Sequence, residues 1–318
     1  MSQPEEEKAA DDLAVYGQED SARPTPRSGS VPTVKLPDGE ALDEQGADRL
    51  LRSVPATTIA IIGDRDSGKS TLVSALYDRL LRGPYAGYAF TGSRTLVALE
   101  KRLHDSRVES GRDTAETIRT SRAEGLLHFH FGLAIAGDPT SRYNLLLSDR
   151  AGEVYRDARA STDLIATLTE IPRADKIILL LDGHRLSDVI ERTGATQAAR
   201  QTLRAFTDNG AFGMQSLVQV VTTKWDLLNT PDQTDAVAHL QTFEDRLARD
   251  FRGRLGELSF WRVSARDPKG VVDPALGLDA LLRNWAKPRS EALPQLSAPA
   301  VSSQFDKLLV RMAVERHQ

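Results

Sequence analysis

At 318 residues, with 40% hydrophobic and 27% charged side chains, the chain has the make-up of a globular protein long enough to bury one sizeable core. A net charge of −4 removes the basic footprint on which nucleic-acid binding depends, and the absence of cysteine excludes disulfides and thiolate metal centres. No apolar run approaches the roughly 18 to 20 residues needed to span a bilayer, so no integral membrane segment is expected.

The opening "MSQPEEEKAADDLAVYGQED" carries seven acidic residues against one lysine, the reverse of a signal or transit peptide, and a cytoplasmic location is the expectation. Residues 1–50 are rich in Pro, Ser, Gly and acids and lack periodicity, which predicts a disordered tail. Within it "EALDEQGADRLLRS" is a short helical segment where the folded part begins. From Thr57 the pattern alternates between strand and helix. It predicts a three-layer α/β fold: a six-stranded, mostly parallel sheet with one antiparallel edge strand and helices on both faces.

"TTIAIIG" reads as a buried strand and "SGKSTLVSALYDRLLRG" as the helix after it, with Leu72, Ala75, Leu76 and Leu80 on one face. A charged helical insertion follows at about 94–123. "EGLLHFHFGLAIAG" and "RYNLLLSD" are two strands joined at "DPTS", a turn signal suited to a hairpin. His128 and His130 share one face of the first of these strands. With no third ligand nearby they read as half-buried strand residues and not as a metal site.

"DKIILLLDG" and "SLVQVVTTKWD" are apolar strands separated by a helical region at about 186–206. A long helix at about 235–254 leads to the last strand, "LSFWRVSAR", and "GLDALLRNWAKP" is the final domain helix, stopped by Pro288. The domain is thus expected over 51–288. Residues 289–318 read as a Pro/Ser linker and an amphipathic helix with Phe305, Leu308, Leu309, Met312 and Val314 toward one side.

"GDRDSGKS" fits G-x-x-x-x-G-K-[S/T] between a strand and a helix, with Gly63, Asp64, Asp66, Ser67, Gly68, Lys69, Ser70 and then Thr71 forming the loop and first helical turn. Glycines let consecutive N–H groups face phosphate oxygens, and the helix N-terminus adds a favourable dipole. Lys69 would reach the β- and γ-phosphates, and Ser70 would offer its hydroxyl to Mg²⁺, a cation satisfied by oxygen ligands. The motif alone does not separate ATP from GTP.

Later strand ends do. Asp149 and Gly152 form D-x-x-G, with a carboxylate suited to Mg²⁺ and a glycine N–H that can approach a γ-phosphate. Thr223, Lys224 and Asp226 form T-K-x-D. A carboxylate there can accept both guanine N1–H and the exocyclic amine, a donor pair that adenine lacks. Ser264, Ala265 and Arg266 close the last strand, where a backbone N–H can meet the guanine carbonyl. All four stand at the C-terminal ends of predicted strands, where open α/β sheets bind ligands.

With these motifs in place the chain resembles the Ras-like P-loop GTPases of the translation-factor (TRAFAC) class, over about Thr57 to Lys287. More narrowly, "YAGYAFTGSRTLVALE" is similar to segments of bacterial double-GTPase and conflict-system proteins. The resemblance implies a GDP/GTP switch that works through a regulator or effector protein. Its state would be read by two loops that order around the γ-phosphate. The first switch would lie between Gly83 and Thr95, with Thr91 or Thr95 joining Ser70 and Asp149 on Mg²⁺. Thr91 is preferred because it follows the aromatic "YAGYAF". Lys69, Thr91, Gly152 and Glu153 would then be the catalytic set, with Arg94 and Arg150 as local candidates for an arginine finger.

Ras has glutamine after D-x-x-G, and here the residue is Glu153. Its charge beside a γ-phosphate predicts slow intrinsic hydrolysis. Two readings stay open: a Mg²⁺-dependent GTPase, or a GTP/GDP-loaded scaffold with little turnover. An ATPase of related topology is a third, and T-K-x-D argues against it.

Overall fold

The computed structural model describes residues 37–106, 122–266 and 275–287, together with Ser303. The expected C-terminal helix and the tail as far as Leu36 lie outside these residues, as does 107–121 of the expected insertion. In the central strand Thr57–Gly63 (β1), Ile59 and Ile61 face one layer of helices while Ala60 and Ile62 face the other, and all four are buried. That double burial is why the strand is continuously apolar instead of alternating.

Strand β1 runs parallel to Asp138–Asp149 (β4) on one side and Lys176–Asp182 (β5) on the other. Leu217–Thr223 (β6) and Glu257–Arg262 (β7) continue the parallel set. Leu127–Ile135 (β3) is antiparallel to β4, and Tyr88–Gly92 (β2) is antiparallel to β3. Among the described residues the order is β2-β3-β4-β1-β5-β6-β7.

The α/β class agrees with expectation, but the sheet has seven strands where six were expected, and the antiparallel strand β3 is internal. The additional strand is the stretch assigned to a switch loop. Tyr88 and Phe90 alternate onto the core beneath, while the strand's hydrogen-bonding partner is β3, some forty residues away in sequence, which a local reading of "YAFTG" does not reveal. The β3–β4 turn is also tighter than expected. Ile135 pairs with Asp138 across Ala136-Gly137, with Gly137 at φ +87°, and Asp138–Ser141 belongs to β4.

One face of the sheet is covered by Lys69–Leu81 (α2), Leu96–Ser106 (α3) and Leu278–Ala286 (α9). The other carries Gly152–Ala158 (α4), Thr162–Ala166 (α5), Gly183–Ser187 (α6), Arg192–Asp208 (α7) and Thr234–Asp250 (α8). Each Leu, Ile or Phe fully buried in these layers contributes ~1.5–3 kcal/mol. A further helix, Glu44–Ser53 (α1), is capped by Asp43, which accepts from the Gly46 amide at 2.7 Å, and it packs Ala47 and Leu50 against Leu146. Helical structure therefore starts upstream of the boundary expected at residue 51. Because β1, β4, β5, β6 and β7 are mutually parallel, their C-terminal ends share one edge, from which all four motif loops leave.

Candidate functional site

The loop after β1 folds back on its own lysine. Lys69 is the first residue of α2, and Gly68 before it sits at φ +95°, a conformation that side chains disfavour. Lys69 Nζ donates to the Gly63 and Asp64 carbonyls, both at 2.9 Å, so the ammonium closes the loop into a ring. Burial lowers its pKa, and the opposing charge of Asp149 limits the fall. Ser70 and Thr71 complete the first turn of α2.

The T-K-x-D segment is bonded directly to this loop. Thr223 Oγ1 donates to the Ser67 carbonyl at 2.8 Å, and Lys224 Nζ donates to the Asp66 carbonyl at 2.9 Å. Both Asp66 and Lys224 adopt left-handed backbone, at φ +63° and +51°, a conformation uncommon outside glycine. Lys224 also pairs with Asp182 at 2.9 Å. Asp182 ends β5 and was not singled out in the sequence, because a strand-terminal acid in "LLLDG" resembles an ordinary turn residue.

Asp226 is buried in a 3₁₀ turn, Trp225–Leu227, and its Oδ1 accepts from Ser264 Oγ at 2.5 Å. Two motifs separated by 38 residues are thus joined. The Ser264 amide itself donates to Leu276 O at 3.1 Å, while Ala265 and Arg266 follow it, partly buried. Burial lowers the Arg266 pKa.

At the end of β4, Asp149 is fully buried, and Ser70 Oγ lies 3.3 Å from its Oδ2. Two hard oxygen donors therefore converge, which fits Mg²⁺. No group of three or more His, Asp or Glu side chains forms a metal cage among the described residues, so such an ion would draw its other ligands from phosphate and water. A cationic side chain is already paired with this carboxylate. Arg102 from α3 places Nη1 2.9 Å from the same Oδ2, with its guanidinium 4.4 Å from the centre of the Phe129 ring. Sequence reasoning missed Arg102 because a single arginine in a charged helix gives no local signal.

The structure does not bring Thr91 to this pair. Thr91 is exposed in the edge strand β2, three strands from β1 and hence ~14 Å across the sheet. Thr95 is fully buried, and its hydroxyl accepts from the His130 amide at 3.0 Å. In both cases strand and helix pairing takes the segment expected to be a loop.

Gly152 packs directly on the phosphate loop. A Cβ there would lie 2.5 Å from Arg65 N and from the Asp64 carbonyl carbon, so only glycine fits without displacing the loop. Glu153, the second residue of α4, faces Arg65, Oε1 to Nε at 3.8 Å. Asp64 is held by Arg159 and, at 3.6 Å, by Arg185. An open cleft of about 410 Å³ lies among these groups. Arg150 is not available as an arginine finger: its Nε and Nη2 both donate to Glu170 at 2.9 Å in a largely buried pair, and Tyr155 donates to the same carboxylate. Arg94 lies in the β2–α3 turn with its amide donating to His130 Nδ1 at 3.0 Å. The arginine beside Glu153 is Arg65, whose place inside the motif was the available signal.

This sheet, with a phosphate loop at its central strand and D-x-x-G, T-K-x-D and S-A on successive strand ends, has the arrangement of a P-loop GTPase. The chain belongs to the Double-GTPase 2 family, whose model matches residues 57–286. By that membership it is a GTP-binding protein. No curated protein matches it.

Similar solved structures include the Saccharomyces cerevisiae Ski7 GTPase-like domain bound to GTP, 15% identical, covering 79% of this chain and 54% of that one, with a TM-score of 0.41. The signal recognition particle receptor SRb-GTP/SRX complex from Chaetomium thermophilum is 14% identical, covering 73% and 97%, with a TM-score of 0.39. Elongation factor SelB from Methanococcus maripaludis in complex with a GTP analogue is 17% identical, covering 72% and 33%, with a TM-score of 0.35. The chain thus spans about half of the Ski7 domain and a third of SelB. Among the described residues no helix is long and apolar enough to cross a membrane.

Proposed function

We propose that the chain hydrolyses GTP to GDP as a Mg²⁺-dependent molecular switch, slowly until a protein partner completes the site. The observation that carries this reading is the direct bonding of the base-side segment to the phosphate loop, Thr223 to Ser67 and Lys224 to Asp66, beside a buried Asp226. A purine on Asp226 and a triphosphate on the loop would then be one continuous ligand.

In this reading Asp226 accepts from the guanine N1–H and amine, with Ser264 fixing its orientation. The loop amides and Lys69 bind the phosphates, and Ser70 and Asp149 would hold the metal. Bound Mg²⁺ would neutralise charge on the β- and γ-phosphate oxygens. Gly152 lets its N–H approach the γ-phosphate. Glu153 orients the water whose oxygen bonds to the γ-phosphorus as the β–γ bridging bond breaks. The GTPase domain is assigned to 51–288, and the partner, a regulator or effector, to the open cleft by Glu153.

The Glu153–Arg65 contact and the commitment of Arg150 to Glu170 favour a second reading, a loaded scaffold with little turnover. Single-turnover hydrolysis of labelled GTP separates the two. A rate on the order of 10⁻⁴ to 10⁻² s⁻¹ that disappears in Lys69→Ala is expected. A rate equal to that blank leaves the scaffold.

A further inference from the structure

Asp149 is the carboxylate that the proposed function gives to a divalent cation, and the protein already sets a cation on it. Arg102 Nη1 is 2.9 Å from Asp149 Oδ2, the same oxygen that Ser70 Oγ approaches at 3.3 Å. The side chains are 10% and 0% exposed, and the Phe129 ring lies against the guanidinium at 4.4 Å. A buried carboxylate requires a counter-charge, which Arg102 supplies here. Mg²⁺ reaches a carboxylate directly or through one of the waters it keeps, and in either case a guanidinium already paired with that carboxylate competes for its charge and adds like-charge repulsion.

We propose that Arg102 is a resident counter-ion that competes with a divalent cation for Asp149, so that metal loading is coupled to α3. This rests on the GTPase reading. Arg102 lies on the helix that directly follows β2 and the Ser93–Thr95 turn, so its displacement loosens the helix next to the segment that the resemblance identified as a switch. The competition weakens the protein's apparent affinity for Mg²⁺ and makes Arg102 a determinant of how much Mg²⁺ is needed to retain nucleotide.

The test is dissociation of fluorescent mant-GDP from the full chain as free Mg²⁺ is varied. In Arg102→Gln the Mg²⁺ half-point should fall about tenfold or more, with Arg102→Lys in between because it keeps the charge without the fork. A half-point that is unmoved or raised overturns the proposal. So does nucleotide retention that ignores Mg²⁺ in the unaltered protein. Hydrogen exchange over residues 96–106 of the unaltered protein, kept in GDP at a concentration that saturates it with and without metal, needs no variant to fold. It should be faster with saturating Mg²⁺ than with EDTA, and equal protection overturns the proposal as well. Failure of the unaltered protein to bind mant-GDP overturns the GTPase reading and takes this inference with it, whereas binding with a half-point indifferent to Arg102 overturns this inference alone.

Discussion

On the base side of the strand-end edge, alongside the Lys224–Asp182 ion pair, side chains mostly meet the backbone or one another through hydrogen bonds in which at most one partner is charged. Thr223 bonds Ser67, Lys224 bonds Asp66, and Ser264 bonds Asp226. On the metal side nearly every acid meets an arginine: Asp149 with Arg102, Glu153 with Arg65, Glu170 with Arg150, Asp64 with Arg159. The first arrangement is assembled before any ligand arrives, so binding there need not order it. The second is internally neutralised, so a metal or a phosphate has to exchange with pairs already made. One half of the edge is therefore built for recognition and the other for a change of state.

The sharpest way to break this contrast is Asp226→Ala. If the base side is preassembled around that carboxylate, GDP affinity should fall by about 10³- to 10⁴-fold, the range for a site that loses a paired polar contact. Calorimetric titration with GDP and ADP measures it. A loss below about tenfold, or equal losses for both nucleotides, would mean that the guanine edge is read elsewhere.

Next in size is Glu170→Ala. Glu170 is 4% exposed and accepts from both Arg150 and Tyr155, so its removal strands a buried guanidinium under the D-x-x-G turn. Breaking such a pair costs about 3–5 kcal/mol, read as a shift in urea-unfolding free energy. Burial, reinforced by the Glu170 charge, raises the Tyr155 pKa far above its usual value, so the phenol stays a donor throughout. A cost under ~1 kcal/mol would place Arg150 in solvent and make it a candidate arginine finger again.

The same contrast explains how much was legible in the sequence. Base-side chemistry sits in contiguous segments at strand ends, so "TTKWD" and "GDRDSGKS" announce it, and the parallel apolar strands that align them are equally plain. The metal side depends on arginines that lie outside every motif. Arg102 reaches Asp149 across 47 residues and Arg159 reaches Asp64 across 95, and neither lies in a motif. Strand β2 is hidden because its pairing with β3 is non-local, and Gly87 before it and Gly92 as its last residue make the five-residue stretch read as loop. Thr91 was chosen because aromatic residues precede it, yet those aromatics pack as strand residues and carry the threonine to the sheet edge.

Acid sharpens the comparison by a smaller amount, because the metal side is anchored through a neutral histidine. His130 Nδ1 accepts from the Arg94 amide at 3.0 Å while Nε2 faces Asn144 Oδ1 at 3.1 Å, so the ring proton sits on Nε2. Burial lowers the His130 pKa from 6.5, the Asn144 contact opposes that, and the Arg94 charge adds to it. Between the depressed folded value and 6.5 the unfolded chain binds more protons, so stability falls as pH falls through this window and is unaffected above it. Protonating Nδ1 also abolishes its bond from Arg94, at the turn that starts α3. Unfolding free energy should therefore be flat from about pH 8 to 7 and decline below about 6.5, with His130→Gln removing part of the decline. Burial shifts His128 in the same direction, so His128→Gln is the matched control on the same strand. Hydrogen exchange supplies the regional readout: at pH 5.5 the amides of α3 should lose protection before those of Thr223–Asp226. Loss in the opposite order would mean that the neutralised half of the edge is the more firmly built one.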